Sequence, residues 1–188
     1  MPTKKISLKP IQEPWLGFLR AVDKTLKGPT EIHCIGGFAL QLLLEKSRPT
    51  GDVDFVETVP NDAGTNLIEI AGKNTELAVE HRLCLDWVKV TEPPSDYETR
   101  LLDATPRRLE NLKIKVLDPY DLVLTKLERN FPRDREDVKA LILELGLDAD
   151  VLRKRFDDEL RPFLAVAPDR TILTLELWMD EFFSAESG

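Results

Sequence analysis

The sequence predicts a mixed α/β (α+β) domain followed by a helical bundle, and three observations carry that prediction. Between residues 31 and 117, short runs rich in β-formers alternate with apolar segments of helical spacing. After residue 118 the strand-like runs stop and only helical patterns remain. Between these lies no repeat and no low-complexity segment, so the change of pattern near 118 is the best boundary: residues 1–118 as an α/β domain and 119–188 as a helical domain packed on it.

In order along the chain, residues 14–27 place Leu16, Leu19, Val22 and Leu26 at helical spacing. Strands are expected near 31–35 and 52–57, with helices at 37–46 and 61–72. Further strands are expected at 76–81, 83–90, 99–104 and 112–117. Thr91–Glu98, with Pro93-Pro94, reads as a loop able to overhang a site on the strands before it. Helices are expected at 119–129, 134–145, 149–163 and 168–184. The last carries Leu173, Leu175, Leu177, Trp178, Phe182 and Phe183, an apolar load broader than one stripe; a core helix is favoured over a dimer contact.

Composition bounds the function. A chain of 188 residues with 42% hydrophobic content can bury a core. No apolar run approaches the roughly 20 residues of a membrane span, and Met-Pro-Thr-Lys-Lys lacks the apolar centre of a signal peptide. Cys34 and Cys84, both in expected core strands and without metal-ligand spacing, read as buried free thiols in a reducing cytoplasm. His33 and His81 receive no role. A formal charge of −8 argues against a basic track for nucleic acid, and Lys4-Lys5, Arg107-Arg108, Lys113-x-Lys115 and Arg153-Lys-Arg155 read as solvated faces.

The chemistry concentrates between Ile32 and Glu57. Asp52 and Asp54, at i and i+2 of a strand, share one face with Cα atoms roughly 6.7 Å apart. Val53 and Phe55 then face the core. Upstream, Gly36-Gly37 join a strand to a helix with no side chain between backbone and ligand, and the free N–H groups of that helix start favour an anion. Mg²⁺ commonly takes one or two carboxylates plus phosphate oxygens, so the parts together suggest nucleotide phosphate chemistry. Taken singly, each has a plain structural reading: a tight connection, or an edge strand blocked by charge.

The run Gly36-Gly37-Phe-Ala-Leu followed by Arg48-x-Thr50-x-Asp52-x-Asp54 resembles motif I of the minimal nucleotidyltransferases of the polymerase-beta-like superfamily. More narrowly it resembles the AbiEii-type branch, which includes toxins of type IV toxin–antitoxin systems and uses Gly-Gly where other members use Gly-Ser. The resemblance continues in Val116-Leu-Asp-Pro119-Tyr-Asp121 through Lys126 to Arg133-Asp134-x-x-Asp137. It implies a nucleotidyltransferase-like mixed sheet flanked by helices. It also implies that Lys126 faces nucleotide phosphates and that Asp134 or Asp137 lines the same pocket. Physically, Asp118-Pro119 is a helix N-cap and first-turn proline, and Asp134 and Asp137 are equally explained as helix-start acids.

The superfamily resemblance also implies a third carboxylate on a strand beside Asp52 and Asp54. Asp86, in Leu83-Cys-Leu-Asp86-Trp-Val-Lys-Val90, is the favoured candidate, with Asp103 as rival. The activity that the resemblance implies is transfer of NMP from an NTP to an unidentified acceptor: RNA such as tRNA, a protein, or a small molecule. Asp52, Asp54 and Asp86 would hold Mg²⁺ or Mn²⁺; Gly36, Gly37, Arg48, Thr50 and Lys126 would bind the nucleotide. A cognate antitoxin or other partner is a further implication, and no membrane is implied. The alternative is a non-catalytic nucleotide-binding or protein-interaction member of the same fold. The Phe131-Pro132 break before Arg133 departs from the family pattern on the phosphate side, while the Asp52-x-Asp54 pair keeps it.

Overall fold

The computed structural model describes residues 6–165 and 168–183. Lys4, Lys5 and the last residue of the helix expected at 168–184 lie outside the described residues. The chain divides into two compact units: Ser7–Val90 with Leu101–Leu117, and Thr91–Arg100 with Ile6 and the residues from Asp118 onward.

The first unit is a five-stranded mixed sheet with helices packed on it. Helix α1 (Trp15–Thr25) buries Leu19 and Val22 of the expected stripe, with Leu26 buried just past its end; Leu16 stays half-buried, and Trp15 and Phe18 are buried in its place. Strand β1 (Thr30–Cys34) buries Ile32 and Cys34 and leads into α2 (Gly36–Leu43). Strand β2 (Asp52–Val59) alternates, with Val53 and Phe55 fully buried and Asp52 exposed. Helices α3 (Ala63–Ala71) and α4 (Glu76–His81) then make the crossover that a parallel partner requires, β3 (Cys84–Trp87). Strands β4 (Leu102–Asp103) and β5 (Leu112–Val116) close the unit, in the order β3-β2-β1-β5-β4. β1–β5 and β2–β3 are parallel, while β1–β2 and β4–β5 are antiparallel. The expected mixed α/β architecture is the one observed.

One expected strand is a helix. Residues 76–81 form α4 because the Thr75 hydroxyl accepts the Ala78 N–H, Glu76 sits in the first turn, and Arg82 ends the helix in the left-handed region. Residues 99–104 also divide: Tyr97–Arg100 is a 3₁₀ turn, and only Leu102–Asp103 pairs as a strand.

A buried carboxylate on α1 organises the start of β5. Asp23 accepts the N–H groups of Glu110 (3.1 Å), Asn111 (2.7 Å) and Leu112 (2.7 Å). Burial alone would raise its pKa, but these donors hold it below the ordinary carboxylate range.

The second unit is helical: α5 (Pro119–Leu124), α6 (Pro132–Leu145), α7 (Ala149–Arg155) and α8 (Pro168–Phe183). Asp118 caps α5 through the Tyr120 N–H, with Pro119 in the first turn. The helix ends at Leu124 rather than 129. Pro132, expected as a break, is the first residue of α6, where its missing N–H costs nothing. The helix expected at 149–163 is continuous but changes character: α7 passes into a π turn at Phe156–Leu160 and a 3₁₀ turn at Arg161–Phe163. Helix α8 buries Leu175, Trp178 and Phe182 and leaves Leu173 and Leu177 exposed, so it is a core helix on one face only. Among the described residues no helix is long and apolar enough to cross a membrane.

Candidate functional site

The polar face of the β2–β3 pair is built by register. Asp52 lies opposite Cys84, and Asp54 opposite Asp86, in a parallel ladder. Side chains at paired positions point the same way, so all four sit on one face, while Val53, Phe55, Leu85 and Trp87 take the other. On that other face Phe55 and Trp87 stack at 6.1 Å, and Gly64 admits the Trp87 ring. The strand pair is thus anchored by its apolar side, which leaves the acidic side to present its groups.

The glycine turn meets this face directly. β1 ends at Cys34, and the Ile35 N–H binds the Asp54 carbonyl at 2.9 Å, so the ladder runs right up to the turn. Gly36 follows with φ +65°, in the left-handed region. A Cβ there would lie 2.0 Å from Asp54 Oδ2, and one on Gly37 would lie 3.0 Å from Thr50 Cβ. Glycine at 36 therefore serves two needs together, a backbone conformation and room for the Asp54 carboxylate. Thr50 Oγ1 accepts the Asp52 N–H at 3.3 Å, and the exposed Arg48 has its carbonyl bound by Gln41 Nε2. Gly36, Gly37, Thr50, Asp52, Asp54 and Asp86 are assembled within one unit.

Asp103, the rival third carboxylate, belongs to the opposite edge, since β4 lies three strands from β2. It binds Lys115 at 3.2 Å and accepts the Thr105 N–H. Burial pushes its pKa up, but those bonds outweigh it and hold the group below the usual range. Its chemistry is that of a hairpin staple.

The donor set beside Gly36 suits a hard divalent cation, because Asp52, Asp54 and Asp86 offer only oxygens. Among the described residues no three His, Cys, Asp or Glu side chains are disposed to hold an ion between them. Any Mg²⁺ or Mn²⁺ on this face would take one or two of these carboxylates and need phosphate oxygens and water for the rest of its shell. The residues present do not fit a closed, all-protein cage.

Cys84 departs from the core position that its β-rich surroundings predict. It is half-buried on the acidic face, and its thiol donates to Asp52 Oδ1 at 3.1 Å. Burial, the Asp52 bond and the charges of Asp52 and Asp86 push its pKa up to about 12. The sequence does carry the signal: Cys84 has the same strand parity as Asp86. Cys34 is fully buried, and burial with the nearby Asp54 charge raises its thiol well above the ordinary value.

The remaining candidates lie in the helical unit. Lys126 is 5% exposed and donates to Asp137 at 2.8 Å and Asp134 at 3.3 Å. Arg129 grips Asp134 with two bonds, 2.6 and 2.8 Å, and Asp134 also accepts the Phe131 N–H at the start of α6. Burial raises the Asp134 pKa, yet Arg129, Lys126 and that N–H together bring it below the ordinary range. A second network, which the sequence does not announce, centres on Asp121, a residue with no exposed surface. Arg100 binds Asp121 bidentately (3.0 and 3.1 Å) and Glu159 as well (2.6 and 3.2 Å). Arg155 joins Asp121 to Asp118 at 3.0 and 2.6 Å while its guanidinium lies over the Tyr120 ring. The partners are 21 to 59 residues apart, too distant for any spacing rule.

Residues 19–185 match a family model described as a nucleotidyltransferase of unknown function (DUF6036). No curated protein and no solved structure matches the chain.

Proposed function

The chain belongs to the family of nucleotidyltransferases of unknown function (DUF6036), and on that premise we propose that it transfers an NMP from an NTP to an acceptor at the acidic face of β2–β3. The observation that supports this reading is the packing of Asp54 against Gly36, which sets a glycine turn at a helix start beside a carboxylate pair. In the reaction an acceptor hydroxyl attacks the α-phosphorus, the bond to the β-phosphate oxygen breaks, and pyrophosphate leaves. Asp52 and Asp54 would hold the divalent cation. Bound there, Mg²⁺ or Mn²⁺ would supply Lewis-acid charge to the triphosphate oxygens. Asp86 orients the acceptor hydroxyl and takes its proton. The N–H groups of Gly36 and Gly37 donate to phosphate, with Arg48 and Thr50 on the loop beside them.

Lys126 is proposed as a phosphate donor on the resemblance alone; within its own unit its ammonium is 5% exposed and binds Asp134 and Asp137. Lys126→Met is read by NTP affinity in calorimetry, beside the unfolding free energy.

We place the chain in the AbiEii-type branch on its Gly36-Gly37 and Arg48-x-Thr50-x-Asp52-x-Asp54 pattern, and with it a cytoplasmic toxin role opposed by a cognate antitoxin. Growth arrest on expression of the wild type, absent with Asp52→Ala/Asp54→Ala, is the outcome expected of such a toxin. The acceptor class, RNA, protein or small molecule, is read by incubating cell lysate with each α-³²P-labelled NTP and Mg²⁺ or Mn²⁺. Label carried by one class of acceptor, and lost with Asp52→Ala/Asp54→Ala, supports the proposal. Transfer that survives both substitutions contradicts it.

A further inference from the structure

At the edge of the sheet opposite β3, a cavity of about 470 Å³ lies between the chain before α1, α1 itself and the loop after β4. Its lining is part apolar, with Leu8, Ile11 and Leu16, and part cationic, with Arg107, Arg108 and Arg20, the last ion-paired to Glu13 at 4.0 Å. That concentration runs against the whole chain, which carries 34 acidic and 26 basic residues. We infer that this groove binds a small organic anion with an apolar body, its phosphate or carboxylate gripped by Arg107 and Arg108.

Four observations carry the inference. The volume is within the range of small-molecule sites, roughly 300–1,000 Å³, which pair apolar walls with a few convergent polar groups. Arg107 and Arg108 are exposed and make no hydrogen bond or ion pair with another described residue, so both planar forks are open to a carboxylate or phosphate. The one acid in the lining, Asp103, is neutralised by Lys115 at 3.2 Å and spends an oxygen on the Thr105 N–H. Lys9, also in the lining, is turned to structure: its ammonium binds the Leu44 carbonyl, and its N–H binds the Leu42 carbonyl at 2.8 Å, which fixes the chain that forms one wall. The groove needs neither Asp52 nor Asp54, so it stands apart from the proposed nucleotidyl transfer.

Calorimetric titration of the full chain with 1-naphthyl phosphate, 1-naphthoate, 1-naphthol and inorganic phosphate tests it. Both naphthyl anions should bind at one site per chain, and naphthol and inorganic phosphate each at least about tenfold more weakly. The tighter of the two anions assigns the head group. Arg107→Ser/Arg108→Ser should weaken both by about tenfold with an unchanged melting temperature, as befits exposed charges. Leu8→Ser should weaken them by removing apolar lining, and Asp52→Ala/Asp54→Ala in EDTA should leave them unchanged. The inference is overturned by no anion binding, by naphthol binding equally well, by indifference to the arginine pair, or by loss of binding in the aspartate variant.

Discussion

Gly36 shows how one residue can set both a fold and a site. Alanine there takes on the left-handed penalty, about 1–2 kcal/mol, and drives a methyl to 2.0 Å from Asp54 Oδ2. Gly36→Ala should therefore lose about 2–4 kcal/mol in urea unfolding and should also lose metal-dependent NTP binding. Gly37→Ala, with an ordinary φ and a looser neighbour in Thr50, should cost about 1 kcal/mol. Equal losses for the two would refute this division of roles. Asp52 and Asp54 behave oppositely: their joint alanine variant should remain folded, with unchanged or slightly raised stability, since like charges on one face are relieved. At this scale much is legible in the chain, because i, i+2 parity reads directly from it. Cys84 reads as core only when its apolar neighbours are weighed and its parity with Asp86 is not. The Asp52 bond itself needs the register of β3 against β2.

Single carboxylates hold whole elements in place. Asp23 ties α1 to the three N–H groups that open β5. Asp23→Asn should cost about 3 kcal/mol at neutral pH, since a buried charge-assisted set is weakened. The folded pKa of Asp23, like that of Asp134, lies below the unfolded value. Its stabilisation is therefore complete above the unfolded pKa and is lost as pH falls through the folded one. The gap between wild type and Asp23→Asn should shrink as acid is added; a gap that widens contradicts the assignment. In the helical unit, Arg100→Met strips Asp121 of its bidentate partner and should cost about 3–5 kcal/mol. Limited proteolysis should then cut within 91–98, a segment that Arg100 and the Ser95 N–H bond to the Glu159 carbonyl (3.0 Å) hold to this unit. Elements with a full period are legible: α1, β1, β2 and β5 fall within a few residues of their expected spans. Residues 76–81 are not, because six residues allow either period, and the Thr75 cap decides for a helix.

Across the whole molecule, strand order does what local pattern cannot. Asp86 and Asp103 are similar in sequence, each in a short β-rich run. Only the order β3-β2-β1-β5-β4 sets one beside Asp54 and the other at the far edge. Pairings between residues dozens of positions apart, such as Arg100 with Glu159, leave no trace in periodicity and emerge only from the folded chain. The central claim is that chemistry occurs at the α-phosphorus of an NTP. Its most direct test gives the protein the same NTP labelled with ³²P at either the α- or the γ-phosphate, with Mg²⁺ and the acceptor fraction. The account predicts that the acceptor retains α-label, that γ-label leaves in pyrophosphate, and that Asp52→Ala/Asp54→Ala abolishes both. An acceptor that retains γ-label instead, or retains neither, would contradict it.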